Sequence, residues 1–207
     1  MMEHIVNSFI VLFIVVDPLG VASVFSSLTR GMCVASQRKM AIKGTALAAA
    51  ILFVFFLVGE DLLKTLGIGL PAFRIAGGIL LMLLAIDMVF ARQSGLRSTT
   101  IREQHEAEEK EDISVFPLAF PLISGPGALT TILLMSSFPH EPLVKVGMLL
   151  TLLVVLGLTL LALLFAPSIM RTLGETGSNV ISRLFGLILA ALAAQYMIDG
   201  IRESLLI

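Results

Sequence analysis

An acid and a proline, Asp17 and Pro18, lie in the middle of an apolar run that extends from Ile5 to Leu28. Neither half of this run can cross a bilayer alone, since a spanning helix needs about 20 residues, but the two halves together can. Ile5 to Val16 would reach about 18 Å as a helix, which places the pair near the bilayer midplane. Because proline lacks a backbone N–H and clashes with the preceding turn, we expect the helix to end there and restart with Asp17 as its N-cap. A broken helix at this depth is tolerated only when protein or a cavity surrounds it.

The composition predicts an integral membrane protein. Hydrophobic residues make up 57% of the chain and charged residues 14%, whereas soluble domains carry about 25% charged residues. Six apolar segments are long enough for helices and lack the alternation of strands; they are 5–28, 41–63, 71–91, 114–137, 144–167 and 181–201. The net charge of −1 gives no sign of a nucleic-acid partner, and the single cysteine excludes a disulfide framework. The sequence therefore predicts an all-α membrane protein with six transmembrane helices.

Basic residues predict the orientation of these helices. With six spans, ten Lys and Arg residues fall on the side that holds the loops after the first, third and fifth spans, and four fall on the other. The side rich in basic residues is expected to be cytoplasmic, which places both termini outside the cytoplasm. The acidic segment 92–112 is then a cytoplasmic linker between residues 1–91 and residues 113–207.

The two halves on either side of this linker resemble each other. Asp17-Pro18 corresponds to Gly125-Pro126, and two further pairs of basic residues correspond at nearly the same spacing, so that the offsets are 108, 107 and 109 residues. Because each half has three spans, the second half enters the membrane in the opposite direction. The sequence predicts two inverted three-helix repeats, with the first and fourth helices broken at Asp17-Pro18 and Gly125-Pro126.

Such breaks would place two helix N-termini near the midplane. Their unpaired N–H groups and positive dipole ends favour a carboxylate, and Asp17 could receive an ammonium group, a coupling cation or a proton. Gln195, in the sixth span, could line the same cavity or hold two helices together. The predicted substrate-binding residues are Asp17, Pro18, Gly20, Ser23, Ser124, Gly125, Pro126, Gly127, Thr130, Thr131 and Gln195. No metal site, no cofactor and no enzyme motif is expected.

Several stretches of the chain also match a known family. They are Val16-Asp17-Pro18-Leu19-Gly20, Ala76-Gly77-Gly78-Ile79, residues 117–126, and the closing stretches 173–175, 183–189 and 199–201. In these stretches the chain resembles the MarC family of bacterial inner-membrane proteins, which includes a branch that transports small neutral amino acids. The resemblance covers the chain except for the linker 92–112. It implies six spans, a location in the bacterial inner membrane and, for some relatives, transport of substrates similar to glycine or alanine.

Two hypotheses of function follow. The leading one is a secondary transporter of small neutral amino acids or similar small solutes, in which Asp17 is the coupling or ammonium-binding acid. The alternative is a membrane scaffold or regulator that transports nothing and recruits a partner through the linker 92–112. The lipid bilayer is a partner in both hypotheses, and the sequence leaves the coupling ion and the oligomeric state open.

Overall fold

The computed structural model describes residues 2–90, 112–136 and 142–205, and among these residues it contains helices and no strand. Eight helical segments follow one another in this part of the chain: α1 Met2–Val16, α2 Pro18–Leu28, α3 Val34–Thr65, α4 Leu70–Phe90, α5 Ser114–Ile123, α6 Pro126–Ser136, α7 Pro142–Leu164 and α8 Ala166–Leu205. The predicted linker lies outside the described residues except for its last residue, Asp112.

Five stretches of the described chain are long and apolar enough to cross a membrane. They are Ile5–Leu28, Val34–Thr65, Leu70–Phe90, Leu143–Leu164 and Thr176–Leu205. The pair formed by α5 and α6 gives a sixth span if it is counted as one, with a bend of 57° between its halves. An all-helical fold with five or six candidate membrane spans is therefore confirmed, and both predicted breaks are present. The first lies between Val16 and Pro18 and the second between Ile123 and Pro126.

Two helices extend beyond the apolar segments that predicted them. α3 begins at Val34, seven residues before the predicted start. Its first turns are mostly polar, so they do not appear in an apolar pattern. α8 begins at Ala166 and is interrupted at Gly174, whose φ of 66° lies in the left-handed region that glycine adopts without a steric cost. The part of α8 that can span a membrane begins after this interruption, at Thr176.

The end of the linker is tied to α3. Asp112 Oδ2 lies 2.6 Å from Lys43 Nζ, and Asp112 Oδ1 accepts the backbone N–H of Ser114 at 3.0 Å. The hydrogen bond from Lys43, followed by those from Ser114, holds the pKa of the Asp112 carboxyl well below its ordinary value. The polar first part of α3 and the end of the linker thus meet on one side of the bundle, where the predicted topology also places them.

The two broken spans form the centre of the bundle. In the most apolar 18 residues of the stretch formed by α1 and α2, 61% are buried, against 22% in the corresponding part of α8. Nearly every residue of α6 is buried. The outer helices α3, α4, α7 and α8 leave many large apolar side chains exposed, as helices in contact with lipid do. The irregular backbone of both breaks is therefore enclosed by protein, which is the condition for its stability in a membrane.

The main helix contacts keep the same pattern when the halves are exchanged. α4 packs against α8, its counterpart in the other half. α3 packs against α5 and α6, and correspondingly α7 packs against α1 and α2. The contact of α2 with α8 likewise corresponds to the contact of α6 with α4. A twofold relation between the halves would give this pattern.

Small residues allow α4 and α8 to approach closely. A Cβ atom added at Gly78 would lie 2.8 Å from the Ala193 carbonyl oxygen, and one added at Gly186 would lie 3.0 Å from the Ala85 carbonyl oxygen. Both distances are shorter than a normal van der Waals contact, so larger residues would push the helices apart. Gly78 and Gly186 therefore lie on packing faces of α4 and α8, as small residues do in membrane helices.

Candidate functional site

Asp17 has an unusual backbone at the first break. Its φ is 49° and its ψ is 70°, and it is the only residue other than glycine with a positive φ among those that the structure describes. L-residues enter this left-handed region at a steric cost, which aspartate and asparagine tolerate best. Asp17 is also 1% exposed. An aspartate is thus held in a strained conformation in the interior of a membrane protein, a combination that occurs mainly at functional sites.

The Asp17 carboxylate joins three elements. Oδ1 accepts the backbone N–H of Gly20 at 3.1 Å, which caps the N-terminus of α2, and Oδ2 accepts the hydroxyl of Ser182 on α8 at 2.9 Å. Gly20 is required by this geometry, since a Cβ atom there would lie 2.2 Å from Asp17 Oδ2. One turn earlier on α8, the Ser178 hydroxyl donates to the Leu19 carbonyl at 3.3 Å. Two serine hydroxyls therefore attach α8 to the first break.

The second break has no acid and is built from backbone contacts. Both the N–H and the hydroxyl of Ser124 donate to the Ala119 carbonyl, at 2.9 Å and 2.7 Å. Gly125 is as constrained as Gly20, because a Cβ atom there would lie 2.3 Å from the Pro121 carbonyl oxygen. The first N–H groups of α6 follow directly and have no carbonyl of their own helix to donate to.

The irregular shape of α5 leads into this second break. Its helical turns are wide, and two residues inside it are extended, namely Phe116 (φ −130°, ψ 128°) and Phe120 (φ −132°, ψ 130°). Each precedes a proline, and steric contact with the proline ring disfavours the helical conformation at that position. The fourth span therefore enters the bundle as a distorted segment and continues as a regular helix only from Pro126.

The two breaks lie beside each other. A cavity of about 10 Å³ is lined by residues of both, with Val15 on one side and Gly125, Pro126 and Gly127 on the other. A Cβ atom on Gly127 would be 3.4 Å from Val15 Cγ1. The cavity has room for about one water molecule. Asp17 does not line it, because the carboxylate faces α8 instead.

Four other predicted site residues lie on the helices that follow the two breaks, α2 and α6. Pro18 is buried as the first residue of α2, and Ser23 is half-buried on the same helix. Thr131 is buried and donates to the Gly127 carbonyl of its own helix at 2.9 Å. Thr130 is buried as well, and a Cβ atom on Gly77 of α4 would lie 2.3 Å from its methyl group.

Gln195 lies apart from this group. Its side chain is exposed and donates to Asp199 at 2.8 Å. It stands thirteen residues beyond Ser182 on α8, which corresponds to about 20 Å along the helix. The structure thus places the two breaks beside each other, leaves the Asp17 carboxylate facing α8, and does not bring Gln195 to them.

Ser178 and Ser182 were not predicted from the sequence. Single serines are common in membrane helices as local hydrogen-bond donors to their own backbone. The available signal was their spacing of four residues, which places both hydroxyls on one face of α8. That spacing alone does not show which neighbour they reach.

The comparison with known proteins agrees with this architecture. A model of a family described as the MarC family of integral membrane proteins matches residues 2–205. The chain belongs to the MarC family. Like the family, this MarC chain is a multi-pass integral membrane protein. No solved structure matches it.

MarC relatives align over nearly their full length. UPF0056 membrane protein MJ1677 of Methanocaldococcus jannaschii is 37% identical over 205 residues, which cover 99% of each chain. UPF0056 membrane protein YvbG of Bacillus subtilis is 36% identical over 206 residues, which cover 98% of this chain and 96% of the relative. UPF0056 inner membrane protein YhgN of Escherichia coli is 34% identical over 202 residues, which cover 97% and 98%. These names state a membrane location and specify no substrate.

Proposed function

We propose that this MarC protein is a secondary transporter of small neutral amino acids or similar small solutes, located in the inner membrane. One observation carries the proposal: a buried aspartate holds a strained backbone at a helix break inside the bundle, and a second break lies next to it. In this proposal Asp17 receives a coupling proton, a coupling cation or the ammonium group of the substrate.

A purely structural role would not require an aspartate at position 17. Asparagine caps a helix about as well as aspartate and tolerates the left-handed region equally. Placing an aspartate at the bilayer centre costs about 2.5–3.5 kcal/mol on insertion scales. An aspartate at this position despite that cost argues for a function in which its carboxyl group is used.

The second break supplies the complementary half of the proposed site. The first N–H groups of α6, between Gly125 and Ala128, present the positive end of a helix dipole to the small cavity. This arrangement favours the carboxylate of an amino acid, with the side chains of Thr130 and Thr131 one turn further along. A zwitterion could then bridge Asp17 and the N-terminus of α6.

The proposed transport cycle requires the breaks to separate. The cavity between them holds about one water, so the described conformation is a closed one. The helix contacts, which keep their pattern when the halves are exchanged, support two inverted repeats. Repeats of that kind permit one half to rock against the other around a central site. In this proposal the Lys43–Asp112 side of the bundle is cytoplasmic, since basic residues are concentrated there.

The test is uptake of labelled L-alanine and glycine by proteoliposomes that contain the purified protein. Asp17→Asn should abolish accumulation and leave the thermal unfolding midpoint close to that of the wild type, because the cap is retained. Asp61→Asn is the matched control, since it removes an exposed carboxylate near the end of α3 and should transport normally. Unchanged uptake by Asp17→Asn would remove Asp17 from the mechanism, and a wild-type protein that takes up no small solute would refute the proposed function.

A further inference from the structure

A second cavity lies at the end of the bundle where α4 begins and α8 ends. Its volume is about 210 Å³, and it is lined by Arg74, Leu134, Tyr196, Asp199, Arg202 and Glu203. Five of these six side chains carry a charge or a hydroxyl group, whereas the small cavity at the second break is lined by apolar residues and backbone. The larger cavity therefore offers charged and hydroxyl groups to a solute.

The charges of this cavity balance one another. Two guanidinium groups, on Arg74 and Arg202, line it together with two carboxylates, on Glu203 and on Asp199. The Asp199 carboxylate also accepts from the Gln195 amide at 2.8 Å. The Arg74 side chain is 17% exposed and forms an ion pair with Glu203. Arg202 is exposed, and within the described part of the chain it forms no hydrogen bond or ion pair. Its guanidinium group is available to a ligand.

The helix α6 runs from the second break to this cavity. This helix begins at Pro126, beside the second break, and Leu134 stands about 12 Å further along it, at the cavity wall. Between them, Thr130 packs against Gly77 of α4. The side chains of Tyr196, Asp199 and Glu203, spaced three and four residues apart, lie on one face of α8. A solute bound here would therefore stand at the far end of the helix whose N-terminus belongs to the candidate site.

We propose that this cavity is an access site that binds a small zwitterionic solute, an amino acid with an uncharged side chain, before it reaches the breaks. The inference rests on the proposed transport function and names a second place where the same solute binds. Arg202 donates to the substrate carboxylate, and Asp199 accepts from its ammonium group. A balanced set of charges favours a zwitterion, because a simple anion or cation would leave one charge of the site without a partner.

The experiment is equilibrium binding of labelled L-alanine to the purified full-length protein, with alanine methyl ester, which has no carboxylate, as a competitor. Arg202→Gln should weaken alanine binding about tenfold, since one charge-assisted contact is lost, and should leave competition by the ester unchanged. Lys64→Gln is the matched control, because it removes one positive charge at the end of α3, where Lys64 pairs with Glu60 at 2.8 Å outside this cavity.

Each outcome decides the inference. Weaker alanine binding in Arg202→Gln alone, with the ester unaffected, supports the access site. A wild-type protein that binds no alanine, normal binding by Arg202→Gln, or an equal loss in Lys64→Gln would overturn it. Uptake by proteoliposomes reports on the proposed function separately. Binding that depends on Arg202 without any uptake would keep a solute-binding site in this cavity and refute transport. Uptake that depends on Asp17, with binding that does not depend on Arg202, would keep transport and refute the access site.

Discussion

Replacing Gly20 with alanine should destabilise the protein, although alanine is normally the better helix residue. The new Cβ atom would lie 2.2 Å from Asp17 Oδ2, 2.8 Å from Asp17 Cγ and 3.2 Å from Ser182 Oγ. The carboxylate is the end of a side chain and can rotate away from the methyl group. It can do so only by leaving both the N–H of Gly20 and the hydroxyl of Ser182.

The size of the effect follows from these losses. Losing an N-cap costs about 1 kcal/mol, and losing a hydrogen bond to a charged group costs about 1.5–3 kcal/mol. Replacing glycine with alanine inside a helix returns about 1 kcal/mol. The net loss is about 2 kcal/mol, which for a chain of this length lowers the thermal midpoint by about 4–8 °C.

The assay is thermal unfolding of the purified protein in detergent. Gly157→Ala is the matched control, because a Cβ atom at Gly157 of α7 would meet no atom within 4 Å, and the substitution should therefore raise the midpoint. Ser182→Ala combined with Gly20→Ala should cost less than the sum of the two single changes, since both remove the same hydrogen bond. A Gly20→Ala protein as stable as the wild type, or strictly additive effects in the double variant, would refute the reasoning.

Three further perturbations test other parts of the structure. Gly125→Ala should lower the unfolding midpoint more than Gly20→Ala, because its Cβ atom would lie 2.3 Å from the carbonyl oxygen of Pro121, a backbone atom that cannot rotate away; an unchanged midpoint would contradict this. Thr45→Val should raise the midpoint by removing a buried hydroxyl that has no hydrogen-bond partner in the described structure, and a lower midpoint would show that the hydroxyl is used. The carboxylate of Asp112 should stabilise the fold fully above about pH 4 and progressively less as the pH falls through its lowered pKa. Because the Asp112 and Lys43 side chains are both about half exposed, this stabilisation should stay under about 1 kcal/mol. Unfolding measured against pH should show a smaller effect in Lys43→Gln.

The sequence predicted the spans and the two breaks because both depend on local chemistry. Apolar length reports whether a segment can cross lipid, and a proline at mid-depth ends a helix wherever it occurs. The extended residues of α5 also have a local cause, namely the proline that follows each phenylalanine. For these features no knowledge of the neighbouring helices is needed.

The contacts of the candidate site could not be predicted in the same way. The attachment of Asp17 to Ser182 joins residues 165 positions apart, and its geometry depends on how α8 lies against α2. Gln195 was grouped with the breaks because it is polar and lies in an apolar segment, a pattern that does not show which side of α8 faces the interior. The apolar pattern does not predict the polar start of α3, because that part of the helix lies outside the apolar segment from which the span was predicted.

The two halves pack alike, yet only one break is fastened by a carboxylate and a hydroxyl, while the other is held by carbonyl oxygens. If the two halves exchange their conformations during a transport cycle, the two resulting states of the protein differ in free energy and are not equally populated. Each 1.4 kcal/mol contributed by the Asp17–Ser182 contact shifts that balance about tenfold toward the shape described here. If the contact is broken in the other shape, Ser182 contributes to a preferred resting side of the protein.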